Sequence, residues 1–366
     1  MLGTPVGRML ALGLEDGRVM LVDEETGEVR WAVQAHSGGD RRTRVATSMG
    51  CRFVASVGRC EDQWKLWDAA SGAVHRVGPR HDGKGACICM VPDIGQRVLQ
   101  EGCPVVAHTN GLCAVAFSGQ RFATGGFDGV IVWDAQTGKA EQRMIAGEVS
   151  AVAALSFSCD GALLAGGDYA GPINIWDATM GALLRTIPAA EAYLQGSVHF
   201  SPCECRLLAS GGGHEISLWD VDSGEKVGHI EGRRLAVFSP NGRTIATSCP
   251  ITLREVRVVD VKSGAFQSTM VANESYLSSA SFSIDNGSRL ASGSYDGTCR
   301  VWDSSTGALL RTIHVGNDVD SVAWSRDWER DEKCVAFALG LHPRLGAGSE
   351  VLELEVGVVR MILDRV

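Results

Sequence analysis

Seven times along this chain of 366 residues, an aspartate that ends an apolar run is followed four positions later by a glycine. Five of these aspartates directly follow a tryptophan, and successive aspartates lie 40 to 66 residues apart, with 43 as the commonest interval. The pairs are Asp23/Gly27, Asp68/Gly72, Asp134/Gly138, Asp177/Gly181, Asp220/Gly224, Asp260/Gly264 and Asp303/Gly307. A fixed period of about 20 to 50 residues is typical of an array of small supersecondary units. The sequence therefore predicts about eight repeats of roughly 43 residues instead of an irregular globular fold.

The clearest repeat runs from Ser278 to Ile313 and contains four β-type segments. The segments "SSASFS", "RLASGS" and "TCRVWD" are joined by the turn-forming stretches "IDNG" and "YDG", and Asp-Gly is a strong hairpin signal. A fourth segment, "ALLRTI", follows the Asp-x3-Gly turn and recurs at Ala182–Ile187. Four antiparallel strands without helical periodicity make up one blade of a β-propeller. We therefore expect an all-β protein built from such blades.

With its five Trp-Asp dipeptides and stretches such as "LASGSYDG" and "ATGGFDGVIVWDAQTG", the chain resembles the WD-repeat β-propeller family over nearly its whole length. The resemblance implies a hydrogen-bonded network of His, Ser or Thr, Asp and Trp inside each blade whose repeat retains all four residues. One repeat has all four members and another has three, without a matching His: His108, Thr124, Asp128 and Trp133; Ser292, Asp296 and Trp302. In the fourth repeat Gly166 takes the Ser position. We interpret these clusters as structural and not catalytic, because buried polar groups satisfy one another whereas a catalytic triad needs an exposed nucleophile in a cleft.

The number of blades depends on how the two ends of the chain pair. The first run of later strands, "MLALGLEDGRVMLVD", has no inner strand before it, and Val319–Trp324 has no Trp-Asp after it. If these two segments share a blade, a single domain over 1–366 closes as seven blades and leaves no exposed sheet edge. A β-rich tail near 333–366 favours the alternative of eight blades. We expect seven.

Composition narrows the classes of function. No apolar run reaches the roughly 18 residues of a membrane span, so we expect a soluble protein of the cytoplasm, with the nucleus as the alternative. A net charge of −9 without a basic stretch dominating the chain makes nucleic acid an unlikely partner. The twelve cysteines are expected to be reduced thiols. They lack the paired spacing of zinc sites, and we predict no metal and no other cofactor.

An insertion is the first candidate partner-binding segment, because loops on rigid scaffolds carry recognition. The interval between Asp68 and Asp134 has about 23 extra residues near 79–104. This insertion begins with Arg80, His81 and Lys84. We predict a partner-binding flap, and a surface insertion without function is the alternative, since loop length adds little entropy cost.

A run of arginines is the second candidate. "GGDRRTR", from Gly38 to Arg44, supplies Arg41, Arg42 and Arg44, and Arg233–Arg234 echoes it in a later repeat. Arginines at the mouth of a propeller channel pair well with carboxylates or phosphates of a partner. The alternative is a solvated charged loop.

Together these features predict a non-catalytic scaffold for protein–protein interactions, a monomeric propeller that presents its loops to partner proteins within a larger assembly. The alternative is a propeller enzyme or a small-ligand binder that uses the central channel. That alternative requires ionisable residues from several inner strands, and the predicted inner strands offer only His199 as an obvious titratable residue.

Overall fold

Each Asp-x3-Gly unit forms the turn between the third and fourth strands of a four-stranded antiparallel sheet in the computed structural model. The aspartate Oδ1 accepts backbone N–H groups two or three residues later at 2.6–3.1 Å. The glycine N–H donates to the aspartate carbonyl at 2.8–2.9 Å, and all seven glycines have φ between +67° and +76°. Glycine recurs at this position because other residues are strained in the left-handed region.

The structure describes residues 8–37, 42–48, 52–59, 61, 63–81, 87–90, 97–100, 108, 111–145, 151–168, 171–188, 197–213, 215–271, 275–284 and 287–326. These residues contain 31 strands, β1–β31, and no helix that could cross a membrane.

The strands group into seven four-stranded blades and one smaller sheet. The first blade consists of β31 (Val319–Arg326), β1 (Arg8–Leu14), β2 (Arg18–Asp23) and β3 (Val29–Gln34). The second consists of β4 (Thr43–Thr47), β5 (Phe53–Gly58), β6 (Trp64–Asp68) and β7 (Val74–Val77). The third and fourth consist of β11 (Leu112–Ser118), β12 (Arg121–Gly126), β13 (Gly129–Asp134), β14 (Ala140–Met144); β15 (Val152–Phe157), β16 (Leu163–Asp168), β17 (Ile173–Asp177), β18 (Leu183–Ile187). The fifth to seventh consist of β19 (Val198–Phe200), β20 (Leu207–Gly211), β21 (Glu215–Asp220), β22 (Lys226–Glu231); β23 (Arg233–Phe238), β24 (Thr244–Ser248), β25 (Glu255–Asp260), β26 (Phe266–Val271); β27 (Leu277–Phe282), β28 (Arg289–Ser294), β29 (Thr298–Asp303), β30 (Leu309–His314).

The two ends of the described chain share the first blade. Strand β31 is its innermost strand and pairs antiparallel with β1, with Leu10 opposite Trp324 and Ala11 opposite Ala323. This pairing confirms the prediction of an all-β propeller with seven blades instead of eight. The tail at 333–366, on which the eight-bladed alternative depended, lies outside the described residues.

The hydrophobic core is divided among the junctions between blades. The described residues form seven buried clusters, and each cluster combines side chains of two neighbouring blades. The junction of the seventh and first blades is built like the others, with Val301 and Ile313 packed in one cluster with Leu12 and Trp324. Because every blade is covered on both sides, the second strands are buried almost throughout, as in β16. The fourth strands form the outer edge and are largely exposed, as in β18.

The insertion forms the smaller sheet. Its strands β8 (Arg80–His81), β9 (Cys87–Met90) and β10 (Arg97–Gln100) pair antiparallel in the order β10-β9-β8. They lie in the chain between the fourth strand of the second blade and the inner strand of the third blade.

The expectation that all cysteines are reduced is wrong for one pair. Cys159 and Cys205 form a disulfide, with Cα atoms 5.4 Å apart. The two residues lie in equivalent turns of neighbouring blades, between β15 and β16 and between β19 and β20. Stacking of adjacent repeats brings these turns within the Cα distance that a disulfide requires, although 46 residues separate them in sequence.

Candidate functional site

All seven inner strands begin on the same side of the ring, which we call the front face. Because neighbouring strands in a blade are antiparallel, the turns between second and third strands also lie on the front face, as do the connections to the next blade. The opposite rear face carries the seven Asp-x3-Gly turns. The most strongly repeated residues are therefore used in turns of the rear face, and the less regular segments meet on the front face.

A cavity of about 290 Å³ lies at the centre of the ring, where the inner strands begin. Four arginines line it: Arg42, Arg44, Arg59 and Arg234. The described residues that line this channel mouth include neither aspartate nor glutamate. Guanidinium groups are well suited to bind carboxylates and phosphates, often through two parallel hydrogen bonds.

Three of the four arginines come from the second blade. Arg42 precedes β4, Arg44 lies on β4 and Arg59 directly follows β5. The Arg59 N–H donates to the Arg42 carbonyl at 3.0 Å, which holds the two residues side by side. The Arg44 Nη1 donates to the Asp320 carbonyl at 2.8 Å, so Arg44 also connects the second blade to the inner strand of the first.

Arg234 belongs to the sixth blade, across the channel from the second. It has φ +64°, and its carbonyl accepts the Ser197 N–H of the fifth blade at 2.9 Å. Leu253, also in the sixth blade, has φ +54°, and its carbonyl accepts the Leu277 N–H of the seventh blade at 3.0 Å. These are the two described non-glycine residues with positive φ. Such conformations cost on the order of 1–3 kcal/mol and persist only where the surroundings fix them, so the backbone of Arg234 is firmly held.

Two titratable residues of the inner strands have shifted pKa values. Burial raises the pKa of Asp320 to about 6, although the Thr43 N–H, Arg44 and Arg42 act in the opposite direction. Burial lowers the pKa of His199, in the channel wall, to about 4. His199 is therefore neutral at pH 7, and the positive charge at the channel mouth comes from the arginines. The sequence analysis identified His199 but missed Asp320.

The structure brings together the four residues of the predicted network in the third blade. His108 Nδ1 lies 2.6 Å from Asp128 Oδ1, and His108 Nε2 lies 2.8 Å from Thr124 Oγ1. The Trp133 Nε1 donates to the same Thr124 Oγ1 at 2.7 Å. His108 and Thr124 are 1% and 0% exposed, so a substrate has no access to the hydroxyl. This geometry links two strands, the turn that joins them and an inter-blade connection, and it offers no nucleophile.

A second complete network, which the sequence analysis missed, lies in the second blade. His36 Nδ1 is 2.7 Å from Glu61 Oε2 and His36 Nε2 is 3.0 Å from Ser56 Oγ, which accepts the Trp67 indole N–H at 2.9 Å. Glu61 replaces the aspartate of the pattern. Burial raises its pKa, but the hydrogen bonds from His36 and the Ser37 N–H, with the charges of His36 and Lys65, outweigh burial and lower the pKa to about 2.

Other blades retain part of the network. The Trp302 indole donates to Ser292 Oγ at 2.9 Å, while Asp296 accepts hydrogen bonds from Thr298 and from the Arg300 guanidinium. In the fourth blade the Trp176 Nε1 is buried and has no hydrogen-bond partner among the described residues. A Cβ at Gly166 would lie 2.7 Å from the Trp176 ring, so the ring occupies the space where other blades carry a hydroxyl.

Of the predicted partner-binding residues, the structure describes the side chains of two. Arg42 and Arg44 line the channel mouth. Arg80 and His81 lie on β8, but their side chains lie outside the described part of the structure, as do Arg41 and Lys84. Arg59, which the sequence analysis missed, joins the arginines because the pairing of β4 with β5 places it beside Arg42.

Two groups can be distinguished among the exposed apolar side chains of the described residues. One set repeats at the first position of fourth strands: Val29, Val74, Leu183, Phe266 and Leu309. A second set lies toward the front face. In the sixth and seventh blades Ile251 is 85% exposed, Val271 67% and Tyr276 49%, and in the third blade Phe127 and Ile145 are also exposed. The bond from the Leu277 N–H to the Leu253 carbonyl joins the turn that carries Ile251 to the strand that follows Tyr276. An apolar area therefore lies at the junction of the sixth and seventh blades, beside Tyr295 of the channel mouth.

Comparison with known proteins agrees with the repeat pattern. The profile of the family "WD domain, G-beta repeat" matches residues 264–303. The chain is 26% identical over 346 residues to the ribosome biogenesis protein WDR12 homolog of Chlamydomonas reinhardtii. It is 29% identical over 140 residues to a guanine nucleotide-binding protein subunit beta of Oryza sativa subsp. japonica, and 27% identical over 112 residues to the COMPASS component SWD3 of Saccharomyces cerevisiae.

These matches cover 88%, 35% and 31% of this chain and 66%, 36% and 32% of the respective relatives. The chain thus covers less than two thirds of the length of these relatives. Among solved structures, the computationally designed Ika8 protein is similar, with a TM-score of 0.59 and 19% identity, over 88% of this chain and 91% of that one. At this identity the similarity concerns the fold alone.

Proposed function

Because the chain is a WD-repeat β-propeller, we propose that it is a non-catalytic scaffold whose front face binds other proteins within a larger assembly. The observation that carries the proposal is the placement of non-repeated residues. The repeated aspartates and glycines are used in rear-face turns, and all five tryptophans of the Trp-Asp pairs are buried between blades. The non-repeated arginines and the exposed Ile251, Val271 and Tyr276 lie toward the front face.

The composition of this face supports protein binding. Arginine and aromatic side chains are enriched at protein interfaces, and they dominate binding energy where they can be desolvated. The backbone around them is fixed by bonds between blades, so little ordering entropy opposes association. Two of the relatives are described by their names as a subunit and a component of assemblies, which supports a role in protein complexes in general.

Affinity capture with two matched variants tests the proposal. The full-length tagged protein, Ile251→Ser/Tyr276→Ser on the front face and Leu183→Ser/Leu184→Ser on β18 are expressed in the native host and captured for quantitative mass spectrometry. Each variant removes two exposed apolar side chains, since Leu183 and Leu184 are 45% and 55% exposed. We expect the front-face variant to lose a defined set of proteins that the β18 variant retains.

Equal loss or equal retention by the two variants would refute the front face as the binding surface, and absence of specific partners for the native sequence would refute the scaffold. Each variant must first show the cooperative melting of the native sequence. The proposal includes monomeric assembly into the complex and a cytoplasmic or nuclear location, which sedimentation and microscopy of the tagged protein test.

The insertion at 79–104 is proposed as an additional partner-binding flap. Its short sheet lies in the connection between the second and third blades, on the front face. An inserted segment at this point does not interrupt a blade. Replacement of 79–104 by a short Gly/Ser linker tests this role. Loss of part of the captured set supports the flap, and an unchanged set indicates an insertion without a role in binding.

A further inference from the structure

We propose that Cys159 and Cys205 form a redox-sensitive site on the rear face, where their disulfide is made and broken by thiol–disulfide exchange while the propeller stays folded. The two residues lie in the turns between first and second strands of the fourth and fifth blades. The site takes a thiol–disulfide couple, which is a dithiol and its disulfide. Its chemistry does not depend on the proposed scaffold function, and its use in the cell rests on the proposed cytoplasmic or nuclear location.

The disulfide is open to attack from solvent. Cys159 is exposed and Cys205 is half-buried, and exchange depends on the access of a thiolate to one of the two sulfurs. In the reduction, a thiolate of the dithiol attacks the Cys159 sulfur, the Cys159–Cys205 bond breaks and a mixed disulfide forms. The second thiolate of the dithiol then attacks the reductant sulfur of that mixed disulfide and releases Cys159. Two electrons and the two thiol protons of the dithiol pass to Cys159 and Cys205, and the reductant leaves as a disulfide.

The junction between the fourth and fifth blades does not depend on this bond. The two blades share a buried cluster that includes Ile175 and Phe200, and the Phe200 N–H donates to Ser156 Oγ at 3.0 Å. Each turn is also closed by a backbone hydrogen bond of its own at 2.9 Å, from the Gly161 N–H in the fourth blade and the Leu207 N–H in the fifth. Reduction therefore leaves the blades packed and changes only the rear surface.

The repeat shows that the fold does not require a disulfide at this position. The corresponding turns of the third and sixth blades, at 119–120 and 240–242, contain no cysteine, yet these blades pack on both neighbours through similar clusters. Exposed disulfides are the labile or regulatory kind more often than buried ones. In a reducing compartment, the disulfides that form are usually transient, catalytic or redox-sensing.

Cys203, an exposed free cysteine in the same turn as Cys205, does not compete for Cys159. Its Sγ lies 3.8 Å from the Pro240 carbonyl oxygen, and a Cβ at Gly242 would lie 3.1 Å from its own Cβ. Cys203 therefore faces the sixth blade, whereas Cys205 faces the fourth. This arrangement selects Cys205 as the partner of Cys159 and leaves Cys203 as a reference thiol that is accessible in both redox states.

Redox titration of the folded full-length protein tests the site. The protein is equilibrated with mixtures of reduced and oxidised dithiothreitol, which is uncharged and so is not repelled by Asp160 and Glu204 beside the two cysteines. Free thiols are trapped with N-ethylmaleimide and mapped by peptide mass spectrometry. We expect one reversible two-electron transition of the Cys159–Cys205 pair, with Cys203 trapped throughout. Reduction should lower the melting temperature by about 5–10 °C, because the bond no longer restrains the unfolded chain, and should keep a single cooperative transition.

Two variants make the result specific to this pair. Cys203→Ser should leave the titration unchanged, and Cys159→Ser should abolish it and leave Cys205 free for trapping in a folded protein. The same titration of the native sequence in urea, where both sulfurs are accessible, is the reference for a bond that only unfolding exposes.

The proposal is overturned if the folded protein keeps the bond at dithiothreitol ratios that break it in urea, or if the bond does not re-form. Loss of cooperative melting on reduction, or pairing of Cys159 with Cys203 as often as with Cys205, also overturns it. In the native host the trapped disulfide fraction should rise when the thiol oxidant diamide is added, and a constant fraction overturns the redox sensitivity. None of these outcomes alters capture by the front face, so failure of this site is distinguishable from failure of the scaffold.

Discussion

In the tryptophans of the Trp-Asp pairs the indole N–H is buried, and it therefore needs a hydrogen-bond acceptor within the protein. Trp133 donates to Thr124 and Trp302 to Ser292, whereas Trp176 has no acceptor among the described residues because Gly166 replaces the hydroxyl residue. An unpaired buried donor costs about 1–3 kcal/mol. Sites with the same residue in the repeat therefore differ in how much the indole N–H contributes to stability.

Replacing these tryptophans by phenylalanine makes the difference measurable. Trp133 and Trp176 are both 1% exposed, so the loss of ring volume is comparable. We expect Trp133→Phe to lower the free energy of unfolding by at least about 2 kcal/mol more than Trp176→Phe, because only the first breaks a hydrogen bond. Urea unfolding of both variants checks this, and equal losses would contradict the assigned roles.

Asp320 gives the stability a specific dependence on pH. Burial raises its pKa from 3.8 to about 6, so the native state binds this proton more tightly than the unfolded chain. The contribution of Asp320 is therefore fully present below about pH 4 and is lost as pH rises to about 6, a change of up to about 3 kcal/mol.

Asp320→Asn should remove this dependence, because its amide oxygen still accepts the Thr43 N–H and it does not titrate. We expect the free energy of unfolding of the variant, relative to the native sequence, to increase from about pH 4 to about pH 6. Urea unfolding across that range isolates the effect, since other groups titrate equally in both proteins. A constant difference would show that Asp320 titrates normally.

A residue of the site could be found from the sequence where a local sequence pattern marks it, and it was missed where its position depends on strand pairing. Arg42 and Arg44 stand in an arginine-rich run, and the structure puts both at the channel mouth. Glu61 was missed because the family pattern has aspartate at this position. The Ala35-His36 dipeptide, which repeats Ala107-His108, could have marked His36 as the histidine of a second network. Arg59 was missed because its contact with Arg42 depends on strand pairing across 17 residues, which no local pattern encodes.

At the scale of the element, the Asp-x3-Gly turn shows how one short motif is repeated with different surroundings. A Cβ at Gly224 would lie 2.9 Å from the Arg185 side chain, whereas a Cβ at Gly264 would have no heavy atom within 4 Å. At Gly264 only the backbone conformation, with φ +67°, requires glycine. The sequence predicted these turns because the motif is local, and it could not predict the disulfide between two turns of neighbouring blades.

Gly264→Ala isolates the backbone requirement. The alanine meets no clash, so we expect a loss of about 1–2 kcal/mol from the left-handed conformation alone. Gly264→Asn should lose less, because asparagine tolerates this region. Thermal and urea unfolding of the two variants provide the test. A loss for asparagine equal to that for alanine would argue against backbone strain as the cause.

At the scale of the molecule, the ring depends on one strand from the far end of the chain. Strand β31 places Val319, Val322 and Trp324 in the cluster between the seventh and first blades. It also covers the edge of β1 through the pairing of Arg8–Leu14 with Val319–Arg326. The periodicity predicted this shared blade because each end lacked the part that the other supplied. Three of the four arginines at the channel mouth, Arg42, Arg44 and Arg234, stand in the two arginine runs that the sequence analysis identified, and only Arg59 was missed.

Two truncations test whether β31 closes the ring. A chain ending at residue 326 keeps all seven blades, and we expect it to retain one cooperative unfolding transition. A chain ending at residue 318 loses three buried apolar side chains worth about 1.5–3 kcal/mol each. Since domains are stable by only about 5–15 kcal/mol, and a bare β1 edge invites aggregation, we expect the shorter chain to lose cooperative unfolding or to aggregate. Addition of a peptide of residues 319–326 should partly restore the transition by strand addition. A cooperative melt of the shorter chain alone, at the temperature of the longer one, would contradict closure of the ring by β31.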